Sequence, residues 1–129
     1  MRYLSLAWID AVARTVANNE PIQQLAQAHD IGVTQVVTDG PEGDVTYHLQ
    51  VGEGAVDFAA GPADPEHVRM EESWDTAVAV ATGTLNAQEA FVSGQIRMRG
   101  DQQRLLDSQR LFGALDAVFS AVREETEYR

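Results

Sequence analysis

The sequence predicts a single α+β domain, with helices towards both ends of the chain and strands between them. Two hydrophobic periods indicate this arrangement. Apolar residues recur in steps of four from Leu4 to Val16, as in a helix, and alternate with polar residues from Val45 to Val51, as in a half-buried strand. A wide apolar surface returns over residues 105–122. The length of 129 residues fits one such domain and leaves too little chain for two stable cores.

Two N-terminal helices are predicted within residues 2–31. The first carries the stripe that begins at Leu4. Asn19 is a candidate N-cap for the second, and Pro21 suits its first turn because no helical hydrogen bond is lost there. We expect this second helix to end at Gly32, where the hydrophobic period changes.

The segment 33–100 is predicted to hold five strands and two short helices. Alternation up to Ala60 indicates a meander of three strands, since glycine-rich turns separate the alternating runs. A fourth strand is predicted from Val68 to about Trp74, and a fifth around Ile96 and Met98.

The two short helices are predicted between the fourth and fifth strands. The first covers residues 75–83, where Asp75 serves as its cap, and its almost wholly apolar composition predicts burial on several sides. The second begins at Asn86, a capping residue followed by Glu89, and ends at Gly94 in a left-handed conformation. A long helix over residues 101–123, capped by Asp101, is predicted to complete the domain.

The charge balance argues against a nucleic-acid partner. Nine arginines, no lysines and twenty acidic residues give a net charge of −11. Phosphate contacts depend mainly on Lys and Arg, so such a domain is repelled by nucleic acid and by anionic bilayers. We therefore predict no nucleic-acid partner and at most a weak, transient contact with membranes.

No pattern of catalytic or metal-binding residues is present in the sequence. Three histidines lack zinc-ligand spacing, cysteine is absent, and no Gly-x-Ser-x-Gly motif occurs. We predict no catalytic residue, no metal and no cofactor. Glu71 and Glu72 are adjacent on a predicted strand, so at most one of them can enter a shared site, and we predict solvated surface positions for them.

The sequence also predicts a cytoplasmic protein. No apolar run approaches the roughly 20 residues of a membrane span. The opening apolar stretch is interrupted at Asp10 before a signal-peptide pattern develops.

Composition alone leaves two alternatives for the core. The Ala-rich helix 75–83 fills little volume beside the wide apolar surface of the last helix. The domain is therefore either tightly packed or hollow, and the packed core is favoured on these features alone. A hollow core lined by aliphatic and aromatic side chains is what a lipid site requires.

The segment from Thr82 to Asp101 resembles the sterol carrier protein 2 family, also called nonspecific lipid-transfer proteins. It contains Gly83 followed by Leu85, the turn Ala90-Phe91-x-x-Gly94, and a strand that closes in Gly100-Asp101, at the family's spacing. The resemblance covers about residues 33–122 in order of elements. It implies a five-stranded, mostly antiparallel sheet covered by helices, with an apolar cavity between sheet and helices. Val92 and Gln95 depart from the Met and Lys common in the family.

This resemblance implies a non-enzymatic protein that binds or carries a lipid or fatty acid ligand, fatty acyl or sterol-like, in an internal apolar cavity. The expected lining is apolar and comes from the short helices, the fifth strand and the last helix. These ligand-binding residues are Val78, Val80, Ala81, Phe91, Ile96, Met98, Phe112, Leu115 and Phe119. The alternative is an accessory protein whose apolar groove binds a partner protein. Arg97 and Arg99 alternate with Ile96 and Met98, which predicts surface pairing for both arginines.

Overall fold

The structure of the protein, a computed structural model, describes residues 1–128, and these form six helices and five strands. In chain order the elements are α1 (Leu6–Ala17), α2 (Glu20–Ala26), β1 (Ile31–Gly40), β2 (Gly43–Gly52), β3 (Ala55–Ala60), β4 (Val68–Ser73), α3 (Trp74–Ala81), α4 (Ala87–Val92), β5 (Ile96–Gly100), α5 (Gln102–Asp107) and α6 (Gln109–Arg123). This order matches the predicted one up to β5, and two helices follow β5 where one is predicted.

The strands form one sheet in the order β3-β2-β1-β4-β5. Strand β1 pairs antiparallel with β2 and parallel with β4, while β2–β3 and β4–β5 are antiparallel. The predicted five-stranded, mostly antiparallel sheet is therefore confirmed for the described part of the chain.

The two faces of the sheet lie in different environments. Val33 of β1 pairs with Leu49 and Val68, and all three side chains are buried beneath helices. Glu71 and Arg97 lie on the opposite face, where they form an ion pair of 2.7 Å with Arg97 71% exposed. The pairing predicted for Arg97 is thus present. One face of the sheet builds the core, and the other largely meets solvent.

The predicted apolar stripe of α1 is buried: Trp8, Ile9, Val12 and Val16 all belong to the core. The helix begins after Ser5, whose side chain accepts a hydrogen bond from the Trp8 backbone nitrogen. Leu4 is buried as well, but it lies in the segment before the helix.

Helix α2 begins as predicted and ends earlier. The Asn19 side chain accepts a hydrogen bond from the Ile22 backbone nitrogen at 3.0 Å. The helix ends at Ala26, and Gly32 already belongs to β1. A Cβ atom on Gly32 would lie 1.9 Å from the Pro65 carbonyl oxygen. Gly32 is therefore required because two backbone segments approach each other closely there. The prediction that Gly32 ends the second helix is wrong.

Helix α3 differs from its prediction in its cap and in its burial. Ser73, and not Asp75, accepts the capping hydrogen bond, from the Thr76 backbone nitrogen at 3.2 Å. Only Thr76 and Ala77 of the helix are buried, while its other apolar residues are half-buried. Burial on several sides is therefore wrong, because α3 packs against β1 and β4 and leaves part of its apolar surface near solvent.

The predicted single helix over residues 101–123 is two helices, α5 and α6, separated at Ser108. Asp101 caps the first of them, as predicted, by accepting from the Arg104 backbone nitrogen at 3.0 Å. The Ser108 hydroxyl donates to the Arg104 carbonyl oxygen at 2.9 Å. Such bonds to the preceding turn bend helices, and Ser108 has a non-helical backbone at φ −101° and ψ 14°.

We expect Gly94→Val to lower the free energy of unfolding by about 1 to 3 kcal/mol. Gly94 ends α4 at φ +83°, a left-handed conformation that a β-branched residue adopts only under strain. A Cβ atom at this position would have open space around it for 4 Å, so the loss would come from the backbone and not from a clash. Urea unfolding followed by circular dichroism measures the effect.

Gly113→Ala is the matched control, because Gly113 lies inside α6 and its Cβ position is also open. Its free energy of unfolding should stay the same or rise by up to about 1 kcal/mol. Equal stability of the Gly94→Val variant and the wild type would contradict the strained-turn account.

Candidate ligand-binding pocket

A pocket of about 240 Å³ lies between the covered face of the sheet and the helices. Its sheet wall consists of Gln35, Tyr47, Met70, Glu72 and Ile96. Its helical wall consists of Trp8, Ala77, Val80, Ala81, Ala87, Asp116, Phe119 and Arg123. Tyr3 and Tyr128 complete the lining from the two terminal segments.

Aromatic rings form one wall of this pocket around Trp8. The indole stacks on Phe119 of α6, with ring centroids 5.9 Å apart and planes 10° apart. Tyr3 meets the same indole edge-on at 5.1 Å, and Tyr47 of β2 does so at 6.1 Å. Such offset and edge-on pairs stabilise each ring position by more than area burial alone. The shape of this wall is therefore fixed by rings from α1, α6 and the sheet.

The two terminal segments bring further rings to the pocket. The Tyr3 backbone nitrogen donates to the Glu127 carbonyl oxygen at 2.9 Å, and the Glu127 nitrogen donates to the Met1 carbonyl oxygen at 2.7 Å. This pairing places the Tyr3 and Tyr128 rings 4.9 Å apart. Backbone pairing between the terminal segments thus closes one side of the pocket.

Glu72 is the charged residue that the sheet contributes to the pocket. It lies in phase with Val68 and Met70 on β4, so its side chain is on the covered face, opposite to Glu71. Loss of hydration on burial raises its pKa to about 7. Within residues 1–128, no cation lies within 4 Å of its carboxylate, and no side-chain hydrogen bond reaches it. The solvated position predicted for Glu72 is therefore wrong.

Two other lining residues carry buried polar atoms without a hydrogen-bond partner among the described residues, Trp8 Nε1 and Gln35 Oε1. Buried polar groups left unpaired cost about 1 to 3 kcal/mol each, and proteins normally satisfy them. Burial also raises the pKa of Tyr3 and Tyr47, with the nearby Glu72 charge adding to the effect. Both phenols therefore remain neutral hydrogen-bond donors in the physiological range.

The pocket opens to solvent beside α6. Asp116 and Arg123 of this helix, and Ala87 of α4, line the pocket and are exposed. An elongated molecule can therefore lie with one end among the rings and the other near these two charged side chains.

The structure places some of the sequence-predicted site residues together and separates others. Val80, Ala81, Ile96 and Phe119 line the pocket. The remaining predicted residues, Val78, Phe91, Met98, Phe112 and Leu115, are not part of its lining.

These remaining residues have other environments. Leu115 is buried in the core, and Met98 and Phe112 pack partly buried against it. Phe91 is 40% exposed because α4 turns Ala90 inward in its place. A role for these residues in ligand contact stays a prediction.

Sequence reasoning missed the contributions of the N-terminal segment and of strands β1, β2 and β4 to the pocket, whereas Ile96 of β5 is predicted. Trp8 belongs to the predicted apolar stripe of α1, but nothing in the sequence pattern indicates that this stripe borders a pocket. The position of Glu72 on the covered face could have been predicted, because Glu72 continues the alternation of Val68 and Met70 and so shares their face. Tyr128 reaches the pocket only through pairing between distant segments, which no local pattern reports.

No group of three or more His, Asp or Glu side chains in residues 1–128 is placed to hold a metal ion. The same described residues include no helix that is long and apolar enough to cross a membrane.

The sequence model of the SCP-2 sterol transfer family matches residues 16–113, which is more than half of the chain. The chain belongs to this family. The match includes the sheet, α3, α4 and the Phe91 turn, and ends within α6. The family resemblance predicted from residues 82–101 is thereby confirmed.

Solved structures share the fold of this sterol-transfer family member at low identity. A crystal structure of sterol carrier protein 2 is 18% identical, covers 95% of this chain and 98% of its own, and has a TM-score of 0.65. Sterol carrier protein 2 from Yarrowia lipolytica, in its apo form, is 13% identical over 86% of this chain and 85% of its own, with a TM-score of 0.61. No curated protein matches the chain by sequence.

The same fold also occurs as a part of an enzyme. A stereoselective inverting sec-alkylsulfatase from Pseudomonas sp. is 22% identical and matches 73% of this chain, with a TM-score of 0.50. The matched part is 14% of the length of that enzyme. This likeness extends to the fold alone.

We expect the buried Glu72 carboxyl to make folding less favourable as pH rises. Its pKa rises from 4.5 to about 7 on folding, so between these values the unfolded chain has lost a proton that the folded chain retains. The contribution of Glu72 to the free energy of unfolding therefore falls between these pH values and is constant above them. Glu72→Gln should be more stable than the wild type above about pH 7, by roughly 3 kcal/mol, because the pKa rises by about 2.5 on folding.

Urea unfolding of wild type and variant at several pH values measures this difference. Glu71→Gln is the control, because Glu71 is ion-paired on the opposite face and should give no comparable gain. A stability difference between wild type and Glu72→Gln that does not change with pH would refute the account of Glu72.

Proposed function

We propose that the protein binds a lipid-like ligand with one hydrocarbon chain in the pocket between the sheet and the helices, without catalysing a reaction on it. The observation that carries the proposal is the position of the pocket. It lies between the covered sheet face and α1, α3, α4 and α6, and apolar side chains form most of its lining. Concave sites of this kind are the usual places where proteins hold small apolar ligands.

Burial of apolar surface supplies the free energy of binding. A chain that buries about 300 Å² of apolar surface gains roughly 7 kcal/mol gross, at about 25 cal/mol per Å². Lost translational and rotational freedom offsets much of this gain. The resulting modest affinity suits a protein that takes up and releases its ligand.

The size of the pocket favours a medium-length chain. Water occupies about 30 Å³ per molecule in the liquid, so 240 Å³ corresponds to the volume of about eight waters. Bonded carbon atoms lie closer together than water molecules do, so the same volume holds a chain of about ten carbon atoms. A sterol ring system would require the pocket to widen. We therefore propose a medium-chain amphiphile as the ligand.

The absence of catalysis is proposed from the residues that line the pocket. No Ser, His or Cys is among them in the described part of the chain, so the usual nucleophile and base pairs are missing. A cytoplasmic location and a protein partner stay predictions of the sequence.

We expect Ala81→Phe to weaken binding of methyl decanoate, an uncharged probe, by about tenfold or more, because the ring would occupy part of the pocket. Isothermal titration calorimetry measures the affinity, and circular dichroism verifies folding. Ala121→Phe is the control, since Ala121 is an exposed residue of α6 outside the pocket lining.

Equal affinity of the Ala81→Phe and Ala121→Phe variants would place the probe outside the pocket. Failure of the wild type to bind methyl decanoate, with one protein recovered alongside the purified chain, would favour the accessory-protein alternative over lipid binding.

A further inference from the structure

We infer that Glu72 makes the pocket selective for a head group that donates a hydrogen bond and carries no negative charge, so that the protein prefers a medium-chain alcohol to the fatty acid of the same length. This inference rests on the proposed lipid-binding function. It adds a specificity-determining residue and a chemical class of ligand.

The carboxyl of Glu72 lies within an apolar wall. Its partners in register on the neighbouring strands are Val37 of β1 and Ile96 of β5, and Met70 precedes it on the same face. Ile96 and Met70 line the pocket with it. A ligand bound in this pocket must therefore be compatible with this carboxyl.

The carboxyl has no partner of its own among residues 1–128, which contribute neither a side-chain hydrogen bond nor a cation within 4 Å. A hydroxyl can donate to an ionised carboxylate and can accept from a protonated one. A ligand carboxylate only accepts, and its charge would repel an ionised Glu72 across a pocket whose lining is largely apolar. The two head groups are therefore distinguished by one side chain.

The other titratable groups of the pocket leave this preference in place. Tyr3 and Tyr47 are neutral donors because burial raises their pKa, while Asp116 and Arg123 lie at the open side on α6. Asp116 and Arg123 carry opposite charges and offset each other, so the pocket retains the negative charge of an ionised Glu72. Gln35 Oε1, buried without a partner among the described residues, is a further acceptor in the lining.

The rival arrangement is a fatty acid whose carboxylate meets Arg123 at the open side while its chain extends inward. That arrangement needs only Arg123 and gives no role to Glu72. It predicts tight decanoate binding that is lost in Arg123→Gln.

The test compares 1-decanol with decanoate by calorimetry. At about pH 8.5, above the pKa of about 7 of Glu72, the wild type should bind 1-decanol about tenfold or more tightly than decanoate. At about pH 5.5 the ratio of the affinity for 1-decanol to that for decanoate should be smaller, because Glu72 becomes neutral. In Glu72→Gln the ratio should be small, about threefold or less, and independent of pH. Glu71→Gln, on the opposite face, should behave as the wild type does.

Equal affinities for 1-decanol and decanoate in the wild type at about pH 8.5 would overturn the inference, as would an unchanged ratio in Glu72→Gln. Either result, with methyl decanoate still bound, leaves the lipid-binding function intact. Failure of all three probes to bind overturns the proposed function, and this inference with it.

Discussion

The packing of the Trp8 indole between helix α6 and the sheet is the interaction on which the pocket depends. Phe119 stacks on one side of the ring, while Tyr47 and Phe58 of the sheet meet it edge-on at 6.1 Å. These rings are large and rigid, so they set the separation between the helices and the covered sheet face. The smaller side chains of α3, among them Ala77, do not fill the space left beside this cluster.

The sheet has two chemically different faces, and the inferred ligand preference depends on Glu72, a charged residue on the covered face. Arg97 and Glu71 pair on the open face, while the covered face holds Met70 and Ile96. Glu72 is a carboxyl on the covered face, where burial raises its pKa to about 7. Buried ionisable groups are costly to fold and are concentrated at functional sites. The free-energy cost of burying the Glu72 carboxyl therefore supports a role for this residue in ligand selection.

Most helices and strands could be predicted from the sequence because their patterns are local, and the family resemblance implied the sheet that they form. Much of the site could not be predicted. Period-two alternation and capping residues such as Asn86 report strands and helices directly. The boundary between α5 and α6 depends on the hydrogen bond from the Ser108 hydroxyl to the preceding turn. The hydrophobic pattern of the sequence does not change at this residue, so it does not indicate the boundary. Phe91 belongs to the family motif, yet it is partly exposed, and the pocket takes its rings from Tyr3 and Trp8. Contacts between such distant segments arise from packing, which no short-range pattern encodes.

The most direct test of a ligand in this pocket is a nuclear magnetic resonance titration with methyl decanoate, followed at assigned backbone amides and the Trp8 indole. Binding between sheet and helices predicts the largest shifts at Trp8, Glu72 and Ala81, with little change at His67, which lies outside the pocket lining. Shifts confined to the exposed apolar residues, such as Val92 and Leu6, would contradict the account, because the probe would then bind the surface and leave the pocket empty.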